Sequence, residues 1–273
     1  MIIIRIIGGL GNQMFQFAAA KALALEKAHD LILDKSLFAN YTLHNYSLDH
    51  FHLDQKFYKR QNKYLTKLKN LFKTIHHYQE KEFNFNSDIQ NINSDVIFLN
   101  GYFQSEKYFI KYEKEIRADF KIQTELSSKA LEMLSRINAT NSVSIHIRRG
   151  DYLQHPIHNT DKTDFYKNAM KTIEGKIENP SYFIFSDDIE WSKNNFKTNF
   201  EIHFIDFTDA STNYEDLKLM SECKHNIIAN SSFSWWGAWL NENPQKIVIA
   251  PKTWFNDEKH NTADVIPDNW IKL

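Results

Sequence analysis

Two arginines stand side by side in His146-Ile147-Arg148-Arg149-Gly150-Asp151-Tyr152, where an apolar run ends in a glycine. A guanidinium fork matches two phosphate oxygens at once, so a pair of forks can hold and neutralise a pyrophosphate without a metal ion. A surface salt-bridge pair is the plainer alternative for the same residues. The preceding run, Ser142-Val143-Ser144-Ile145-His146-Ile147, alternates polar and apolar positions with β-branched side chains. It reads as a strand whose C-terminal end delivers both arginines. Ligands of open α/β sheets sit at that end.

Two other segments point to the same kind of ligand. Near the N-terminus the apolar run Ile2 to Ile7 leads into Gly8-Gly9-Leu10-Gly11-Asn12-Gln13 and then a strong helix former, Met14 to Leu23. Three of the seven glycines of the chain fall here, which suits a backbone with positive φ or close approach to a ligand. Amides at a helix start favour anions. As a dinucleotide fingerprint the segment fails, because Met14 replaces the third glycine. Near the C-terminus the run His225 to Ala229 opens into Asn230-Ser231-Ser232-Phe233-Ser234-Trp235-Trp236-Gly237-Ala238-Trp239-Leu240. Its serines either cap the next helix or offer hydroxyls to a phosphate, and its tryptophans either pack or face a ring ligand.

Taken together, GGLGNQMFQFA (8–18), HIRRGDY (146–152), FSDDIEW (185–191) and NSSFSWWGAWL (230–240) resemble, in that order, the motifs of the α-1,2-fucosyltransferases of glycosyltransferase family eleven. They span nearly the whole length, although residues 40–95 carry no such motif. The resemblance implies an α/β protein of the GT-B fold, two facing Rossmann-like domains, that moves L-fucose from GDP-fucose to a galactoside 2-hydroxyl with inversion. It also implies that Gly11, Asn12 and Gln13 approach the donor phosphate from one domain and that Ser231, Ser232 and Phe233 contact it from the other.

Leaving-group departure puts negative charge on the β-phosphate and positive charge on the sugar ring. Arg148 and Arg149 are therefore expected to bind the β-phosphate and leaving oxygen. Asp151 and His146 are the nearest groups able to take the acceptor proton; alternatively Asp151 pairs with Arg148, His146 points into the core, or proton transfer is late and needs no dedicated base. Guanine needs an acceptor for its N1 and N2 hydrogens, and Asp187 or Asp206 at strand ends is expected to serve. Asp188 is equally suited to capping the next helix. No cofactor or metal is expected: the chain has no Asp-x-Asp triplet, and the adjacent Asp187 and Asp188 should point apart. Zinc at His44, His50 and His52 is an outside alternative.

These residues need elements to position them. Strands are expected near 2–7, 31–34 and 96–99 in the first half, with helices near 105–117 and 125–137. In the second half strands are expected near 143–148, 182–186, 202–206, 226–229 and 246–250, alternating with helices near 163–177, 188–197, 213–223 and 233–241. That alternation is a parallel α/β unit. A polar, turn-forming stretch at Asn138 to Ser142 puts a domain boundary there, and the resemblance then implies an N-terminal acceptor domain over 1–140 and a C-terminal GDP-fucose domain over 141–273.

Composition bounds the rest. With 273 residues, 42% of them hydrophobic, the chain can bury two cores, and a net charge of −1 exerts no general pull on nucleic acid. One cysteine, Cys223, excludes an intrachain disulfide and suits a reducing bacterial cytoplasm; on its helical pattern it reads as a packed thiol, not a nucleophile. No apolar stretch is long enough to span a membrane, and the opening strand is too short for a signal peptide. A non-catalytic sugar-nucleotide binder, a nicotinamide oxidoreductase, and a transferase with another GDP-sugar or linkage are the competing functions. Finally, the basic segment Lys56 to Ile75 carries apolar residues at helical spacing. It is either a solvated face over a packed stripe, which we prefer, or a peripheral contact with an anionic membrane at its inner face. No co-flotation with anionic liposomes at physiological salt is expected, and co-flotation would establish the membrane contact.

Overall fold

A computed structural model describes residues 1–58, 73–157, 163–257 and 259–273, with the backbone alone at positions 151, 154 and 163. The chain divides into two α/β units, Met1–Gln123 with Asn261–Val265 and Thr124–His260 with Ile266–Leu273. Most of the basic segment falls at 59–72, outside the described residues, but its last apolar position, Ile75, opens a strand.

In the first unit, β1 (Ile2–Arg5) lies between β2 (Leu31–Asp34) and β4 (Val96–Asn100), with β3 (Ile75–Gln79) outermost and every pairing parallel. Ile2, Ile3 and Ile4 are all buried, the signature of a strand covered on both faces. Helix α1 (Leu10–Glu26) makes the crossover from β1 to β2, and alanines at 18, 19, 20, 22 and 24 let it lie close on the sheet. A short α2 (Asp88–Asn91) precedes β4. The helix expected over 105–117 is broken: 3-10 turns at Glu106–Tyr108 and Ile110–Tyr112 come before α3 (Glu113–Asp119).

The second unit begins with α4 (Ser128–Ala139) and carries six parallel strands, β5 (Asn141–Ile147), β6 (Pro180–Ser186), β7 (Ile202–Ile205), β8 (His225–Ile227), β9 (Val248–Ala250) and β10 (Ile271–Lys272). Helices α5 (Thr163–Glu174), α6 (Ile189–Asn195), α7 (Asn213–Glu222) and α8 (Ser232–Leu240) alternate with them where the sequence places helices. The strand order is β10-β9-β8-β5-β6-β7, so the chain winds outward from β5 in one direction, then returns to β8 and winds the other way. This is the doubly wound order of dinucleotide-binding sheets.

The division between units falls one helix earlier than the polar stretch at 138–142 suggests. Glu215 of α7 is buried and accepts both the N–H (2.6 Å) and the hydroxyl (3.0 Å) of Ser127, which caps α4. That bond ties α4 to the second unit. Among the described residues no helix is long and apolar enough to cross a membrane.

Gly237 sets the spacing of α7 and α8. A methyl at that position would stand 2.8 Å from the Met220 β-carbon, a backbone-anchored atom that cannot swing aside. Gly237→Ala gains about 1 kcal/mol in helix propensity, yet overpacking costs about 1–3 kcal/mol. A net loss of about 1–2 kcal/mol is expected in urea denaturation; a midpoint at or above wild type would show that the two helices have room.

Candidate active site

Strands β5 and β8 are neighbours whose following segments leave in opposite directions, which opens a crevice at their C-terminal ends. Arg148 to Gly150 leave β5 there, and Ile228 to Ser231 leave β8. The two loops are joined: the Tyr152 hydroxyl donates to the Asn230 carbonyl (3.2 Å), while the Asn230 side chain donates to Trp254 O (2.8 Å). Two of the segments expected to share a ligand, the arginine loop and the serine loop, therefore lie together at the C-terminal edge of this sheet.

Both arginines are ion-paired, as the salt-bridge alternative requires. Arg148 Nη1 lies 3.1 Å from Asp187 Oδ2, and its guanidinium carbon 5.6 Å from the centre of the Tyr152 ring. Arg149 Nε donates to Asp188 Oδ2 (3.2 Å) with its guanidinium 3.8 Å over the Trp191 ring. Asp187 Oδ1 accepts the Arg149 backbone N–H (2.8 Å), and Asp188 Oδ1 accepts the Trp191 N–H (3.1 Å), capping α6. One carboxylate thus caps a helix and aims an arginine, and the cap presents the tryptophan on which that arginine lies. The hydrogen bonds of the Arg149 side chain among the described residues are made by Nε, which leaves its terminal N–H donors for an anion.

Asp187 and Asp188 do diverge, each toward its own arginine. With both oxygens engaged, Asp187 positions the arginine loop; a side chain at Gly150 would stand 3.0 Å from its Oδ2. Asp206 is exposed, 3.5 Å from Lys193 Nζ. His146 is buried, its ring edge-on to Phe233 at 5.7 Å, its carbonyl accepting the Tyr166 hydroxyl (3.0 Å) and its Nδ1 without a hydrogen-bond partner. Burial, helped by Arg148, pushes its pKa down to about 3, so at neutral pH it is an uncharged imidazole with little affinity for a proton. Asp151 lies in the 3-10 turn that follows the arginines.

Ser231 precedes α8 and is buried, but its hydroxyl makes no capping bond; its carbonyl accepts the Trp235 N–H (3.0 Å). Ser232 and Phe233 open the helix half-buried. The tryptophans are spent on packing: Trp235 and Trp236 are fully buried, and Trp235 meets Trp270 at 5.4 Å.

In the first unit, Gly8 has φ +89, the left-handed region that favours glycine, and a methyl there would stand 2.9 Å from the Asn12 amide nitrogen. Gly11 is buried in the first turn of α1. Gln13 is fully buried and donates to Gly8 O and Asn45 O (both 2.8 Å) while accepting the Ser47 N–H (2.9 Å), so its amide holds loops in place and is not offered to a ligand. Gln16 does the same between the Ile7 N–H and Gly101 O. Asn12 Oδ1 accepts from buried Gln104 (2.8 Å). Gln16, Gln104, Tyr152 and Trp191 escape a sequence reading because each acts through a partner distant in the chain; only Trp191, three residues after a capping aspartate, leaves a local trace. Among the described residues no group of three or more His, Cys, Asp or Glu is placed to hold a metal ion.

The glycosyl transferase family 11 model matches residues 1–273. An α-1,2-colitosyltransferase of Escherichia coli is 35% identical, over 100% of this chain and 99% of its own length. The O-antigen biosynthesis glycosyltransferase WbnK of the same species is 31% identical, over 97% and 98%. Human galactoside α-(1,2)-fucosyltransferase 1 is 26% identical over 52% of this chain and 42% of its own length. Among solved structures, NodZ α-1,6-fucosyltransferase soaked with GDP-fucose covers 91% of this chain and 94% of its own at TM-score 0.53 and 12% identity. FUT1 of Arabidopsis thaliana in complex with GDP covers 94% and 72% at TM-score 0.55 and 11% identity. The fold is the GT-B fold of those fucosyltransferases. With a family match from first residue to last and two relatives above 30% identity along their whole lengths, this chain belongs to glycosyl transferase family 11.

Proposed function

We propose that the chain is an inverting α-1,2-fucosyltransferase that moves L-fucose from GDP-fucose to the 2-hydroxyl of a galactose residue in an oligosaccharide or surface glycan, without a metal ion. The observation that carries this reading is the pair of arginines fixed by Asp187 and Asp188 at the switch point of the second unit's sheet. The α-1,2 linkage is supported by the names of the colitosyltransferase and the human relative. A reducing compartment such as the bacterial cytoplasm suits a chain whose one thiol, Cys223, is buried and free.

In the proposed reaction the acceptor oxygen forms a bond to the anomeric carbon as the bond from that carbon to the β-phosphate oxygen breaks. The electron pair leaves with GDP. Arg149 presents two donors to that oxygen and its neighbour, and Arg148 adds a second positive charge; both are in place before the charge develops, so no reorganisation accompanies the step. The hydroxyls of Ser231 and Ser232 and the backbone around Phe233 extend the phosphate site from β8. His146, neutral, shapes the pocket under the arginines and is not the base. The acceptor proton passes to Asp151 or is lost late, after the sugar cation has formed.

A second reading, transfer of colitose, is favoured by the full-length colitosyltransferase relative. Colitose is fucose without the 3-hydroxyl. A site that hydrogen-bonds that hydroxyl rejects the deoxy sugar by about 10⁴-fold, whereas a site that merely accommodates it does not. Incubating GDP-fucose and GDP-colitose separately with a panel of β-galactosides, with and without EDTA, and following GDP release and product linkage tests both readings. We expect α-1,2-fucosylated product undiminished by EDTA; product formed only with added divalent metal would overturn the arginine assignment.

Arg148→Ala and Arg149→Ala are expected to lower turnover by about 10²-fold or more each, the scale of losing a transition-state charge contact. Turnover within about tenfold of wild type for both would defeat the proposal. The pH profile supplies an independent check. His146, depressed to about 3 from 6.5, stays neutral between pH 5 and 8 and contributes no inflection there. Its stabilising contribution is complete above pH 6.5 and is lost as pH falls toward 3. An inflection near 6.5 that disappears in His146→Asn would show that the ring titrates in catalysis.

A further inference from the structure

A cavity of about 290 Å³ opens at the C-terminal edge of the first unit's sheet, reached by the residues that follow β1, β3 and β4. Its size is at the small end of ligand pockets, which run from about 300 to 1,000 Å³. Glu80 lines it. The Glu80 carboxylate accepts the backbone N–H groups of Tyr102 (2.5 Å) and Phe103 (3.0 Å), and it reaches them because residue 101 has no side chain: a methyl on Gly101 would stand 2.4 Å from the Glu80 β-carbon. Burial outweighs those two bonds and leaves the Glu80 pKa raised.

Phe83 and Tyr102 supply aromatic faces, nearly parallel at 8° with centroids 6.3 Å apart, and Tyr102 is 38% exposed. Across the β3–β4 pairing, Asn100 donates to Gln79, so two amides lie at the same edge. Lys81 and Glu82 complete the charges.

Two carboxylates against one ammonium make the lining acidic, which excludes a phosphate or nucleotide as its occupant. Aromatic faces beside amides and carboxylates are instead what a pyranose requires, since the ring offers C–H groups on its faces and hydroxyls around its edge. We infer that this pocket binds a neutral pyranose of the acceptor glycan, with the Tyr102 and Phe83 rings as stacking surface and Glu82 as hydroxyl acceptor, while Glu80 fixes the backbone that presents Tyr102. The identity of the glycan, though not the saccharide binding itself, rests on the transferase reading above.

The test uses the full chain with lactose as probe, comparing wild type, Tyr102→Ala, Tyr102→Phe and Glu82→Gln. Saturation-transfer NMR reads lactose binding, steady-state kinetics read the KM for lactose and for GDP-fucose, and calorimetry reads GDP affinity. Tyr102→Ala should abolish the lactose NMR signal and raise the lactose KM about tenfold or more, with GDP affinity within about twofold of wild type. Tyr102→Phe should behave as wild type, and Glu82→Gln, an exposed position, should raise the lactose KM several-fold even if Tyr102→Ala fails to fold. Unchanged lactose binding in both Tyr102→Ala and Glu82→Gln, or equal loss of lactose and GDP binding, would overturn the pocket. Lactose binding that depends on Tyr102 in a protein that transfers no sugar would leave the pocket standing and remove the transferase reading; normal transfer by Tyr102→Ala would do the reverse.

Discussion

Two neighbouring carboxylates, Asp187 and Asp188, hold two neighbouring arginines, and the arrangement of the second unit's binding edge follows from that grip. Its worth is geometric. All four side chains are partly exposed, at 23–37%, and pairs of that kind contribute at most about 1 kcal/mol to stability. What the pairs do supply is prior ordering, because the entropy of fixing two long side chains is lost on folding and not when a diphosphate arrives. Two guanidinium and two carboxylate charges cancel, so the cluster cannot draw an anion from a distance, and the whole chain carries only −1. In the proposed reaction it would act at contact range, through donors already aimed.

Buried amides carry the same logic into the scaffold. Gln13 and Gln16 fasten the glycine loop of the first unit to segments far away in the chain. In the second unit Asn226 is fully buried, donating to Ser144 (2.8 Å) and Met220 O (2.8 Å) while accepting from Asn241 (2.8 Å), and Asn241 also donates to Cys223 O (2.7 Å). The Asn226–Ser144 bond joins β8 to β5, the two strands whose following loops carry the proposed phosphate site. Leaving one such group unpaired costs about 1–3 kcal/mol, more than a surface ion pair gives. The loops are therefore fixed by the amides beneath them, and the arginines by the carboxylates beside them.

What the sequence discloses and what it hides follow from the range of the interactions. Strand β5 and its arginines are legible because alternation and a glycine stop are local signals, and apart from the two-residue β10, for which no strand is expected, the strands and helices of the second unit lie within a few residues of where their patterns put them. Strand β3 is not legible: Ile75-His76-His77-Tyr78-Gln79 is an exposed edge with almost no buried face, so nothing separates it from the basic stretch before it. The break before α3 is equally hidden: Phe109, at φ −138 and ψ −4, separates the two 3-10 turns, and no glycine or proline announces it. The domain boundary was displaced by the Glu215–Ser127 bond, which no local pattern announces. Asp187 reads from sequence as a base acceptor for guanine because the arginine that occupies it lies 39 residues away in number but one strand away in space.

A site that acts by contact with a diphosphate reads the part of the donor that GDP-sugars have in common. In the proposed reaction Arg148 and Arg149 would grip the diphosphate, and they would not distinguish fucose from its 3-deoxy counterpart. That choice requires a group within hydrogen-bond reach of the sugar's 3-hydroxyl, away from the diphosphate that the arginines are proposed to hold. The same holds for the acceptor, whose neutral hydroxyls give an arginine pair nothing to grip. Donor sugar and acceptor glycan must then be read by polar, uncharged or acidic surfaces away from the cluster, the kind the first unit presents around Glu80 and Tyr102. In the proposed reaction, leaving-group departure and sugar recognition would then rest on different residues.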